Sequence, residues 1–300
     1  MEQEPSHRIV GIALAVFGVI AFSLRPILIK LSYSYVVDPI TLLALRMVFA
    51  LPFFLLAALW SRRDESRLPI SRHDALAIIG LGFIGYYVAS FLDFLALQYI
   101  SAGLGRLLLF TYPTGVVLLS AVFLGKRIQR RDIIALLLTY AGLALVLSRA
   151  LEGQNTQLPL GAALAFASAA LYAIYLVVGT QLIKRVGSLR FTAYATSVAS
   201  VCCIVQFLAM RPLTALQLPA PVYGLAIIMA TVSTVIPVFM TAEALRRIGA
   251  NHVAMIGALG PVSTIAMGYF GLEEMLTALQ VCGAILVLAG VMVVSLKAKV

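Results

Sequence analysis

Four ionisable side chains interrupt otherwise apolar runs: Arg25, Arg46, Asp93 and Arg106. A charge in hydrocarbon costs roughly 2.5–3.5 kcal/mol on insertion scales, so each needs a partner, a wet cavity or a route to the interface. Asp93 is the natural partner for Arg25 or Arg46. The arginine left over would attract carboxylates, which a guanidinium binds through a two-pronged fork. These three are read as gating or substrate-capture charges. For Arg106 and Lys30, snorkelling to the nearer interface is the plainer expectation.

Tyrosines form a second set. Tyr86, Tyr87, Tyr112 and Tyr172 fall in mid-run, and Tyr175 follows Tyr172 at a spacing that shares one helix face. A buried phenol needs a hydrogen-bond partner, and its ring offers a stacking surface to a ligand. Core packing would use the same residues, so residue type alone leaves both roles open. Ser233, with Thr234 and Pro237, marks another polar interruption, although such hydroxyls also bond to the preceding turn. His7, His73 and His252 are scattered, and Cys202, Cys203 and Cys282 lie inside apolar runs without ligand spacing. No metal, no cofactor and no enzyme chemistry is expected from them. Gly80-Leu-Gly82-Phe-Ile-Gly85 spells a dinucleotide fingerprint, but it lies in an apolar helix rather than after a strand. Small residues there let helices approach closely.

The elements that position these residues follow from composition. The chain of 300 residues is 62% hydrophobic and 11% charged. That is well under the roughly 25% charge a water-facing surface carries, so lipid must cover it. A bilayer needs about 20 apolar residues per helix. Charges, prolines and polar turns divide the chain into ten such spans, near 9–30, 39–60, 74–97, 104–125, 132–150, 159–182, 191–210, 221–244, 253–272 and 277–296. Met1–Arg8 is too polar for a cleavable leader, so the first run is read as a retained helix. Sixteen of the 22 basic residues fall at alternate loop ends, including Arg62, Arg63, Arg127, Arg130, Lys184 and Arg185. That pattern records orientation and excludes a nucleic-acid partner as the reason for the net charge of +10. Both termini are expected in the cytoplasm, with the lipid bilayer and a small-molecule substrate as partners. Ser71-Arg-His-Asp74 reads as a capping box opening span three.

The chain also matches itself at an offset of 148 residues. Ala96, Leu97, Ile100, Ala102 and Pro113 lie over Ala244, Leu245, Ile248, Ala250 and Pro261, and Ala141-Gly142 lies over Ala289-Gly290. Five spans per copy is odd, so the second copy enters the membrane from the opposite side. The fold class expected is an all-α membrane protein of ten transmembrane helices in two inverted five-helix repeats, over 1–150 and 151–300. Pro113 and Pro261 interrupt spans four and nine at matching positions, the pointer to a substrate site where the repeats meet. The cavity is expected among spans one, three, four, six, eight and nine. Spans five and ten stay peripheral, and their Gly142, Gly283 and Gly290 suit tight packing or a homodimer.

This pattern, A-L-x-x-I-x-A with a proline eleven residues on and a later Ala-Gly, resembles the EamA-type repeat of the drug/metabolite transporter superfamily. Arg46 after Asp38-Pro39 resembles the family's second helix. Two positions depart from it: Lys126 stands where an acidic residue is common, though Glu274 keeps that place in the second half, and Phe22-Ser23 replaces a Trp-Gly. The resemblance implies export of small metabolites across a bacterial plasma membrane. It looks most similar to exporters of amino acids, aromatic ones especially, with multidrug or organic-cation export as the alternative. Cysteines placed in 151–158 and 212–220 should react with an impermeant reagent outside sealed cells, and those in 62–72 and 126–131 should not. Outside labelling of 62–72 would overturn the orientation and the inverted repeat together.

Overall fold

The computed structural model describes residues 5–61, 70–125, 127–151, 156–274 and 277–295, and nearly all of them are helical. Helices α1 (Pro5–Ser23) and α2 (Arg25–Tyr33) form one apolar rod broken at Leu24. Pro26, in the first turn of α2, offers no N–H to the preceding helix, which interrupts the ladder there. Helix α3 (Pro39–Ser61) follows, then α4 (Arg72–Leu81), a π-helical stretch Gly82–Val88, and α5 (Ala89–Ala96). The Ser71–Asp74 capping box opens α4: the Ser71 hydroxyl accepts from the Asp74 N–H at 3.1 Å, and the carboxylate accepts the Ser71 N–H in return.

Helices α6 (Ala102–Leu109) and α7 (Tyr112–Leu124) are halves of another broken rod. Next come α8 (Arg130–Leu151), α9 (Leu158–Val186) and α10 (Ser188–Met210). The turn between α9 and α10 is a single residue, Gly187 at φ 86°, a backbone angle that a side chain would strain. Helix α11 (Ala220–Ala230), a second π-helical stretch Thr231–Val235, α12 (Ile236–Gly257), α13 (Leu259–Leu272) and α14 (Ala278–Ser295) complete the chain.

Among the described residues eight segments are long and apolar enough to cross a bilayer, the first being Ile9–Tyr33 and the last Ala220–Thr241. Leu259–Leu272 and Ala278–Val293, at the expected spans nine and ten, are apolar but shorter. The protein is therefore a multi-pass membrane protein. One expected boundary is corrected. The polar turn placed between spans eight and nine is helical, because α12 runs on to Gly257. Ala, Leu and Arg there are strong helix formers. Glu243 and Arg247 pair at 2.6 Å one turn apart, which supports the extension.

The 148-residue offset has counterparts in the backbone. It carries Gly82–Val88 onto 230–236, overlapping the second π-helical stretch, and carries the α6–α7 break at Phe110 onto Ala258 between α12 and α13. Pro237 explains the second stretch, since it leaves carbonyls of the preceding turn without their usual N–H. The hydroxyls of Ser233 and Thr234 both donate to the Met229 carbonyl one turn back, at 2.9 and 2.8 Å, which satisfies them inside their own helix.

Helices α8 and α14 pack along one another. The contact depends on missing side chains: a Cβ on Gly142 would stand 2.5 Å from the Gly283 carbonyl oxygen, and one on Gly283 would meet the Gly142 oxygen equally closely. These glycines thus serve a contact within one chain, and a homodimer would need a different face of the pair. Gly142→Val should cost about 3 kcal/mol, the upper range for forced overpacking, read as earlier thermal unfolding of the detergent-purified protein. Gly80→Ala, with open space around its Cβ, should leave the unfolding temperature unchanged or raise it.

Candidate functional site

A cavity of about 370 Å³ lies among the helices, in the size range of small-molecule sites. Gly18, Val19, Phe22 and Arg25 come from α1 and α2, Gly85 and Tyr86 from the π-helical stretch, and Ala89, Ser90 and Asp93 from α5. Arg106, Leu109, Phe110 and Tyr112 come from the α6–α7 break; Ser168, Tyr172 and Tyr175 from α9; Pro237, Val238, Thr241 and Gly257 from α12. Helices α8 and α14 contribute none of the lining residues, as expected of the periphery. Helix α10 was not anticipated, yet Ser188, Leu189 and Thr192 line the wall. Two hydroxyls at helical spacing in its first turns were the available signal.

The tyrosines converge. Tyr112 meets Tyr172 edge to face with centroids 5.1 Å apart, Tyr172 stacks on Tyr175 at 5.9 Å, and Tyr86 meets Tyr175 at 5.6 Å. Gly85 makes this possible, because it faces the Tyr175 ring where any Cβ would collide. Of the Gly80–Gly85 motif, Gly82 similarly lets the Ala195 backbone approach. The result is a semicircle of phenol rings, each able to present a face or an edge to a flat apolar ligand. Tyr87 is elsewhere: it pairs with Phe83 at 5.3 Å and packs on the Leu42–Phe94–Met229 core. Ser233 is buried with its hydroxyl used in its own helix. Pro113 and Pro261 do not line the cavity, but they occupy the first turns of the helices that begin beside it.

Arg25, Asp93 and Arg106 close one end. They are 8%, 7% and 4% exposed, and all three line the cavity. Arg106 therefore does not snorkel. Its guanidinium lies 4.9 Å from the Phe22 centroid and 5.3 Å from that of Phe110. Arg25 sits 4.3 Å from the same Phe22 ring. Ring faces carry partial negative charge, which attracts a desolvated guanidinium. The expected Asp93–Arg pair is not made at contact distance: among the described residues no basic nitrogen comes within 4.0 Å of the Asp93 carboxylate. Arg46 is fully buried but outside the lining, over Phe94 at 4.9 Å and donating to the Met47 sulfur at 3.8 Å.

Beyond these charges the chain is shut. The Tyr33 hydroxyl donates to the Phe94 carbonyl at 2.6 Å, and Arg211 Nε donates to Asp38 Oδ1 at 3.1 Å. Glu274, from the α13–α14 connection, accepts the N–H groups of Ala102 at 2.8 Å and Gly103 at 3.2 Å. A carboxylate there satisfies two free donors at the α6 N-terminus and meets its positive dipole end. That clasp joins residues far apart in sequence, so spacing could not reveal it. At its other end the cavity extends to Ile183, Ser188 and Leu189, beside the basic α9–α10 turn. Arg185 pairs with Asp74 at 3.1 Å on that side.

The EamA-like transporter family matches this chain twice, over residues 9–148 and 159–296. The chain belongs to that family. This EamA-like transporter is 31% identical over 283 residues to the uncharacterized transporter YcbK of Bacillus subtilis, covering 91% of this chain and 88% of that protein. It is 26% identical over 266 residues to the uncharacterized transporter sll1319 of Synechocystis, covering 86% and 78%. A solved crystal structure superposes with a TM-score of 0.65 at 19% identity, over 99% of this chain and 100% of the other, which shows a shared fold. The transporter is thus a membrane carrier of the drug/metabolite transporter superfamily.

Asp38 adds a pH handle on the shut side. Partial burial pushes its carboxyl up, but donation from the Thr41 hydroxyl, from Arg211 and from the Thr41 N–H outweighs that and holds it below the usual range. A group with a lowered folded pKa contributes stability above its unfolded value, near pH 4, that is lost as pH falls through the lowered value. Asp38→Asn should flatten the acid limb of the unfolding-temperature profile below about pH 4 while leaving the shape of the neutral limb unchanged.

Proposed function

We propose that this EamA-like transporter exports large neutral amino acids, aromatic ones first, across a bacterial plasma membrane by alternating access. The observation that carries this reading is the pairing, in one cavity, of a tyrosine semicircle with a charged end rich in arginine. In this reading the carboxylate meets Arg25 or Arg106, and the side chain stacks among Tyr86, Tyr112 and Tyr172. The ten spans comprise two inverted five-helix repeats, 1–150 and 151–300, with both termini in the cytoplasm. The cavity extends toward the basic, cytoplasmic side and is sealed on the other by the Asp38–Arg211 and Glu274 contacts, which is the loading posture of an exporter.

Organic-cation export is the second reading, favoured by the same ring faces, which attract cations. Asp93 would be its counter-charge. Counterflow in proteoliposomes separates the two. Labelled Phe should accumulate against internal Phe, Trp or Met, and Phe methyl ester should compete at least tenfold less well. Arg106→Gln should abolish most of this uptake with the protein still inserted and monodisperse. Equal competition by the ester, with no response to the free amino acids, would establish the cation reading instead.

A further inference from the structure

The charged end of the cavity is unbalanced, and the imbalance specifies a ligand charge. Arg25 and Arg106 are each more than nine-tenths buried, line the cavity, and have Nε atoms without an acceptor. Among the described residues no carboxylate pairs with either one. Asp93 is the one carboxylate among the lining residues. Two breaks in the helical rods adjoin the lining. Helix α7 begins at Tyr112, a lining residue, and α13 begins at Leu259, next but one to lining Gly257. Gly260 in the first turn of α13 lies so near Arg106 that a Cβ there would be 3.0 Å from its terminal nitrogen. Each start directly follows the partial negative end of the half before it, so the two ends largely offset one another and side chains set the charge here. Arg46 lies behind the wall and adds to the same potential.

Among the described lining residues this end thus carries two formal positive charges against one negative. A carboxylate entering alone neutralises it. A zwitterion brings the same carboxylate, but also an ammonium that meets a field with excess positive charge. A dianion overshoots because Asp93 repels the second charge. We infer that the closed end is a carboxylate subsite matched to one net negative charge, so that amine-free aryl and alkyl monocarboxylates bind this cavity better than the amino acids with the same side chain. Asp93 is the specificity-determining residue that sets the preferred charge at one rather than two. This rests on the carboxylate reading above and widens its substrate class.

Four ligands with one benzyl body test it on the purified full chain in proteoliposomes and, without a membrane barrier, by ligand-induced thermal stabilisation in detergent. They are 3-phenylpropionate, Phe, phenethylamine and benzylmalonate, at pH 7. 3-Phenylpropionate should inhibit Phe counterflow at a concentration at least tenfold below Phe itself, with phenethylamine weakest. Asp93→Asn should move the ratio of benzylmalonate to 3-phenylpropionate at least fivefold toward the dianion, and Arg106→Lys should keep the wild-type order. Phe or phenethylamine acting as well as 3-phenylpropionate, with Phe counterflow intact, would overturn the inference and leave amino-acid transport standing. Stabilisation by 3-phenylpropionate without any Phe counterflow would do the reverse. An unchanged dianion ratio in a folded Asp93→Asn protein would remove Asp93 from the account. Failure of all four ligands to stabilise or inhibit would sink both readings.

Discussion

Buried guanidinium groups without matching carboxylates are the constraint around which this membrane domain is arranged. Arg25, Arg46 and Arg106 all sit deep between helices, and among the described residues no direct ion pair compensates any of them. Desolvating such a group is expensive unless something replaces water. Aromatic faces do part of that work: Phe22 serves two arginines, and Phe94 and Phe110 one each. The cavity does the rest, because a space lined by polar groups admits solvent or substrate. Filling it with apolar side chains would strand the charges. Keeping it open requires the helices around it to be broken, offset or thinned by glycine, which is what α1–α2, α6–α7 and the π-helical stretches provide.

Much of this architecture was legible in the sequence because it follows from lengths and hydropathy. Eight spans among the described residues start within a few residues of their expected edges, and the Ser71 cap and Glu243–Arg247 pair are local patterns. Tyr172 and Tyr175 share a face by spacing alone, and Pro113 and Pro261 did mark the broken helices. The misreadings share a cause as well. Arg106 was assigned to an interface because a one-dimensional reading measures distance to a helix end, not the depth of a break within it. Tyr87 and Tyr86 are adjacent, and only the helical phase decides which faces the cavity. A π-helical turn alters that phase without any sequence punctuation before it. The Glu274 clasp and the α10 wall are tertiary facts that no local pattern encodes.

The molecule also divides its labour between packing and access. Helices α8 and α14 meet glycine to glycine, carry few polar groups and stay out of the cavity, so they can remain fixed while others move. The rods that line the cavity are those with interrupted ladders. Their interruptions cost backbone hydrogen bonds, and beside one of them the Ser23 hydroxyl donates across to the Gly260 carbonyl at 3.1 Å. That bond ties the break in α1–α2 to the start of α13.

The two π-helical stretches have a consequence for how the gene can vary. A π turn closes on the fifth residue rather than the fourth, so it stores one surplus amino acid without extending the rod. Deleting one residue in an ordinary span rotates everything downstream by about 100° and turns lipid-facing side chains into the core. Within 82–88 or 231–235 the same deletion merely relaxes the turn to α geometry and preserves the phase on either side. Single-codon deletions should therefore be tolerated there and nowhere else in those spans, at the expense of whichever lining side chain the surplus residue had pushed toward the cavity.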